Sequence, residues 1–213
     1  MENLNARPSA LVVEDAAVAS TNLARMGLIP EVYHPRQVNT SATQHVLRDL
    51  RGGKFGVVWM ELPSSGRTVP PKKRSSTISE MALWMRAAQQ GASRAVLIGP
   101  RGRCWQSEAL EDLVQTKALH ESQHTMCHFG VVHSDAGVAN STTFNARTTL
   151  AAAWSKCQCP AGTQHCYEHS SSRDGRVKAC ARRKAIMMMY DQLVPKLTGL
   201  AAPVGTTQPL LVS

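Results

Sequence analysis

Nowhere in the 213 residues is there an apolar run of the roughly 18 residues that a membrane helix needs, so nothing is expected to span a bilayer. The first residues, Met1 to Arg7, hold no apolar core segment, so no secretory leader is expected. An intracellular place, cytoplasmic or nuclear, follows as the default. In a reducing compartment the six cysteines serve as free thiols or metal ligands rather than disulfides. Acid is scarce: 15 Asp plus Glu stand against 24 Lys plus Arg, for a net charge of +9. That balance favours an anionic partner, nucleic acid first, the competing reading being a basic surface that keeps the chain soluble. Phosphate-loop chemistry is missing as well, since Gly99-Pro-Arg-Gly102 lacks the Gly-Lys-Ser/Thr that such a loop requires. No internal repeat occurs.

What is present is enough apolar residue, 43%, to bury one full core. The chain is organised around Phe55 to Leu62, an apolar run short enough for a strand buried on both faces. It opens at Pro63 into a loop ending Pro-Pro-Lys72-Lys73-Arg74. Ala10 to Glu14 reads as a first strand, with Asp15 capping a helix Ala16 to Met26. Glu31 to His34 reads as a second strand and Thr40 to Leu50 as a helix. Thr77 and Glu80 match a capping box for a helix reaching Gln90. Arg94 to Gly99 is another buried strand, and Ser107 caps a helix reaching about Leu119. Strand and helix alternate, which predicts right-handed crossovers and a mostly parallel sheet. His124 to Val132 and Ser141 to Ala146 are then two strands joined by so short a link that they must form an antiparallel hairpin. The expected fold class is α/β: a Rossmann-like, mostly parallel sheet closed by an antiparallel hairpin, over residues 1–150. A small Cys/His appendage and a basic C-terminal helix, about Gly175 to Leu197, occupy 151–200, and 201–213 is a flexible tail.

Two groups of residues could carry chemistry. Cys157, Cys159, His165 and His169 supply the four ligands of a tetrahedral zinc, with Cys166 able to stand in for His165. All ligands being protein-derived, that zinc would be structural. Cys-x-Cys is tighter than the usual finger spacing, and the competing reading is a set of reduced surface thiols beside unrelated histidines. The second group is Lys72, Lys73 and Arg74 after one strand and Arg101 and Arg103 after the next. In a parallel sheet both stand on one edge, where they would form a phosphate-binding rim. A solvated loop is the alternative, and Pro-Pro-Lys-Lys-Arg also faintly matches a nuclear import signal. Arg176, Lys178, Arg182, Arg183 and Lys184 spread around the C-terminal helix, as a solvated face would. His133-Ser134-Asp135 are turn neighbours that cannot converge as a triad. His124 and His128 read as ordinary sheet residues, and Cys104 and Cys127 as lone buried thiols.

A family resemblance rests on the order of several segments. Met126-Cys-His-Phe-Gly130, Ser141-Thr-Thr-Phe-Asn-Ala146, the Cys-x-Cys and His-Cys-x-x-His segment, and a basic helix with Tyr190 follow one another. In that order they resemble the methyltransferase-like domains beside reverse transcriptases in some retroelements and in multidomain proteins of single-celled eukaryotes. Phe55 to Ser64 looks like the strand and turn that carry the catalytic Pro-Cys in cytosine-5 DNA methyltransferases. The resemblance implies S-adenosylmethionine as cofactor and nucleic acid as substrate. By count, the chain is one strand-helix unit short of the class I methyltransferase sheet.

Three departures stand against full activity. Pro63 is followed by Ser64, not cysteine, and a serine hydroxyl without a base is a poor nucleophile toward a cytosine ring. No glycine follows the first strand, where Glu14-Asp15-Ala-Ala-Val-Ala19 stands. His34-Pro-Arg36 replaces the acid that would hold the cofactor ribose. The expectation is therefore a catalytically weakened methyltransferase-like module that contacts nucleic acid through the basic rim. One alternative is an active S-adenosylmethionine-dependent enzyme in which Glu14 and Asp15 replace the usual cofactor contacts. Another is a zinc-stabilised interaction domain with no small ligand.

Overall fold

A computed structural model describes residues 9–38, 43–63, 69–100, 103–115, 119–131, 139–140, 143–166, 187 and 189–201. Six strands make the main sheet: β1 (Ser9–Val13), β2 (Ile29–Tyr33), β3 (Phe55–Glu61), β4 (Arg94–Pro100), β5 (His120–Thr125) and β7 (Thr143–Thr148). Their order is β2-β1-β3-β4-β7-β5. The pairs β1·β2, β1·β3 and β3·β4 are parallel, and β7 runs antiparallel between β4 and β5. The mostly parallel, Rossmann-like sheet with an antiparallel closing pair is thus the one expected. A separate two-residue ladder pairs β6 (Ala139–Asn140) with β8 (His165–Cys166) in parallel.

The pleat of the central strands divides them between two cores. Leu11, Val13, Val58, Met60 and Leu97 face one side, where they meet α2 (Thr43–Arg51), α3 (Pro71–Gln90) and α4 (Glu108–Gln115). Ala10, Val12, Val57, Trp59, Val96 and Ile98 face the other. There they meet α1 (Ala19–Arg25) and a C-terminal helix, α5, over 189–198. Residues 10–13 are fully buried because helices cover both faces of the sheet, which is why β1 reads as an unbroken apolar run. Met189, Leu193, Val194 and Leu197 of α5 pack into the second core. Arg94 closes the end of α5 by donating to the carbonyls of Thr198 and Gly199, and Arg25 of α1 pairs with Asp191 at 2.8 Å.

Several local expectations are corrected. The helix after β1 begins at Ala19, and its N-cap position is Val18, so Asp15 is not the cap. The helix after β3 begins at Pro71, six residues before Thr77, because a proline at the first helical position needs no N–H partner. Lys72, Lys73 and Arg74 therefore lie in the first turn of α3 rather than in a loop, and Thr77 is a buried residue inside that helix. The strand expected over His124 to Val132 is displaced: β5 is His120–Thr125, and Met126–Phe129 coil into a short helical turn ending at Gly130, φ 73°. The second strand of the pair starts at Thr143, so the connection between β5 and β7 is longer than the tight link read from sequence. Of the basic helix expected from Gly175, residues 175–186 fall outside the described residues, as does most of the tail expected from 201.

Candidate functional site

In this strand order β1 leads to β2 on one side and β3 returns on the other, so the topological switch point lies between the carboxyl ends of β1 and β3. Glu14 follows β1 directly. Its carboxylate, 3% exposed, accepts hydrogen bonds from the backbone N–H groups of Val18 (2.9 Å), Ala19 (2.8 Å) and Ser20 (3.2 Å). Those are the donors that the first turn of a helix leaves without partners, and here a buried acid from the same chain satisfies them. Asp15 Oδ1 lies 2.7 Å from His34 Nε2, which ties the end of β1 to the end of β2. The two residues expected as cofactor contacts are thus engaged by the chain itself, one with α1 and one with His34.

The end of β3 holds a group that the sequence reading passed over. Glu61 Oε1 accepts a 2.6 Å hydrogen bond from the Tyr190 hydroxyl and a 3.4 Å contact from Trp59 Nε1. Burial pushes the Glu61 carboxyl up to about 7; the Tyr190 hydrogen bond opposes this, and the charges of Glu14 and Asp15 add to it. Tyr190 is in turn raised well above the usual phenol value, by burial first and then by Glu61. Its ring packs on Trp59 at 5.7 Å. The signal available in sequence was a single acid interrupting an apolar strand, which marks a polar position at a strand's carboxyl end. Ser64 lies outside the described residues.

Of the five cations expected to form a rim, Lys73 and Arg74 have described side chains. Parallel β3 and β4 end on the same border of the sheet, and α3 and the turn Arg103–Gln106 begin there. Lys73 is exposed and Arg74 half-buried. Burial raises the Cys104 thiol, against which the cations of Arg74 and Arg147 both act, so the start of α3 stands beside the turn after β4. Arg101 and the side chains of Lys72 and Arg103 lie outside the described residues. Arg147, 5% exposed, stacks over Trp105 at 4.9 Å and donates to the Leu110 carbonyl at 2.7 Å, so it braces the interior of that edge.

A second cluster lies at the far side of the sheet. Beyond β5 the chain adds a parallel bridge, His124 with Ser155, secured by Thr125 N–H to Ser155 O (2.9 Å) and Ser155 N–H to Gln123 O (3.0 Å). That bridge sets the turn Met126–Phe129, which follows β5, beside the stretch that follows Ser155. The thiols of Cys127, Cys157 and Cys159 accordingly lie within 4.8 Å of one another and could hold a metal ion. Cys127 is thus not a lone thiol, and no sequence spacing joined it to a partner about thirty residues away. Burial, then the neighbouring Cys157 and Cys159, push its thiol up to about 12. Cys157 and Cys159 are brought together as expected. The side chain of His165 and the whole of His169 lie outside the described residues, although the backbone of His165 is placed in β8.

The bridge is pinned by a buried polar chain. His124 is fully buried, with Nε2 2.9 Å from Ser122 Oγ and Nδ1 2.9 Å from Ser155 Oγ, and Lys196 Nζ of α5 donates to Ser155 Oγ at 2.5 Å. Burial, with Lys196 and His128 nearby, lowers the His124 imidazole to about 4, so it is neutral in this network. His124 also stacks on Phe144 at 5.4 Å. Compared with known proteins, the chain matches no family model and no curated relative.

Proposed function

We propose that this chain is a methyltransferase-like module, weakened or inactive as a catalyst, that binds nucleic acid along the carboxyl edge of its sheet. The observation that carries the reading is Glu14. At the switch point, where an active member would leave helix N–H groups and glycine backbone open to a cofactor, a buried carboxylate occupies the N–H groups itself. The sheet order, with one antiparallel strand between two parallel ones at the edge, supports the resemblance on which the family reading rests. Cations on the first turn of α3 add to the positive end of the helix dipole, and this supports a phosphate backbone as the ligand. Isothermal titration of S-adenosylmethionine into the protein should give no heat. Fluorescence anisotropy with a labelled single-stranded oligonucleotide should show binding that Lys73→Glu weakens; a Lys73→Glu variant that binds as wild type does would remove the rim from the account.

Glu61 favours a second reading, an active enzyme with an atypical pocket. A carboxyl near neutral pKa at a strand's carboxyl end suits a proton acceptor. In that case S-adenosylmethionine would bind with measurable heat, and Glu61→Gln would abolish methyl transfer while leaving that heat intact. A structural zinc belongs to the leading proposal, held by the cluster that contains Cys157 and Cys159.

A further inference from the structure

We infer that Cys127, Cys157 and Cys159 are three ligands of one closed, four-coordinate zinc site, and that the fourth ligand comes from β8, as His165 or Cys166. The inference rests on the zinc reading above and fixes its ligand set. Three thiols from two distant segments converge within 4.8 Å, and none of the three is in a disulfide. The His124–Ser155 bridge sets the turn after β5 beside the stretch after Ser155, and His128 Nδ1 at 3.0 Å from the Lys156 carbonyl ties the two segments next to Cys127 and Cys157. Strand β8 is delivered to the same place by backbone alone. It pairs with β6, and β6 packs against the turn Met126–Phe129 that carries Cys127.

A second observation asks for such a tie. No residue from Lys156 to Gln164 is buried, and the segment has neither helix nor strand. Apolar packing does not hold that stretch against the domain. A metal would, because each ligand bond fixes a chain segment that has no core of its own. Three thiolates and one further sulfur or nitrogen are the donor set of a structural zinc, with every coordination position filled by protein. The site is therefore a clasp joining the end of β5, the stretch 157–159 and β8.

The test uses the whole chain purified under reducing conditions. Elemental analysis should find one zinc per chain, and cobalt substitution should give the intense visible bands of a tetrahedral thiolate site. Cys127→Ser, Cys157→Ser and Cys159→Ser should each lose the metal, and one of His165→Ala and Cys166→Ala should lose it while the other retains it. Since these variants can fail to fold, wild-type protein supplies a second readout. Alkylation mapped by mass spectrometry should spare Cys127, Cys157 and Cys159 until a chelator is added, and then label all three. Absence of any metal, or a disulfide between two of the three thiols in freshly reduced and repurified protein, would remove the zinc reading itself. Metal retained by Cys127→Ser, or lost in His169→Ala while both β8 variants keep it, would leave zinc standing and overturn this ligand set.

Discussion

At the scale of single residues, Glu14 and Glu61, the acids at the carboxyl ends of β1 and β3, carry separate predictions. Glu14 accepts three backbone N–H groups, so Glu14→Ala should lower stability by about 2 kcal/mol, in the range of a lost cap plus charged hydrogen bonds. Glu14→Gln keeps an acceptor oxygen and should cost about half as much; urea unfolding midpoints would measure both. Glu61 behaves differently. Its folded pKa of about 7 lies above its ordinary value of 4.5, so the folded state holds a proton that the unfolded state has released between those pH values. Its contribution is complete below pH 4.5 and lost as pH rises to 7, by about 3 kcal/mol at about 1.4 kcal/mol per pKa unit. His124 has the opposite sign: lowered from 6.5 to about 4, it makes stability fall as pH drops from 6.5 to 4. The two slopes oppose each other between pH 4.5 and 6.5. Denaturant titrations of wild type and Glu61→Gln should therefore diverge there, the variant gaining stability with pH more steeply than wild type. Parallel curves would show that the Glu61 carboxyl is not raised by desolvation.

At the scale of elements, α3 shows where sequence signals compete. Thr77 and Glu80 imitate a capping box, yet the helix starts at Pro71, and Thr77 is 1% exposed within it. Two adjacent prolines read as a loop because proline breaks a helix interior, although the first helical position is where it fits best. The strands were legible because burial on both faces leaves an unmistakable apolar run, as in Ala10 to Val13. Strand β5 was not, since His120 to Thr125 is polar at every position and carries no such run. Glu61 with Tyr190 and His124 with Ser155 and Lys196 were hidden for a different reason. Their partners are 129, 31 and 41 positions apart, beyond any local pattern. The cations of α3 sit unfavourably at the positive end of its helix dipole, so Lys73→Glu should raise stability by about 0.5 kcal/mol while weakening nucleic-acid binding. Thermal melts and anisotropy on the same variant would measure the two effects together. The close of α3 on α2 is tight: a Cβ on Gly91 would sit 1.9 Å from the Leu50 carbonyl oxygen. Gly91→Ala should therefore destabilise the protein by about 2 kcal/mol or more, since backbone must move to admit it.

At the scale of the whole molecule, three layers place Glu14, Glu61 and the α3 cations along the carboxyl border of the sheet, with the thiol cluster at its far end beyond β5. Helices α2, α3 and α4 cover one face of the sheet, and α1 and α5 cover the other. The switch point between β1 and β3 stands at the border where α3 begins, so Glu14, Glu61 and the α3 cations share it. The general architecture was legible because alternation of strands and helices restricts topology to few solutions. The thiol cluster was legible only by half, because Cys127 joins through a parallel bridge that no spacing announces. The central claim is that phosphates bind where α3 begins. Its most direct measurement is the salt dependence of nucleic-acid binding for wild type and for the combined Lys72→Ala, Lys73→Ala, Arg74→Ala variant. A plot of log affinity against log salt should be steep for wild type and shallower by about 2 to 3 for the variant, with each lost phosphate contact removing somewhat less than one unit. A wild-type affinity that ignores salt, or equal slopes for the two proteins, would contradict the account.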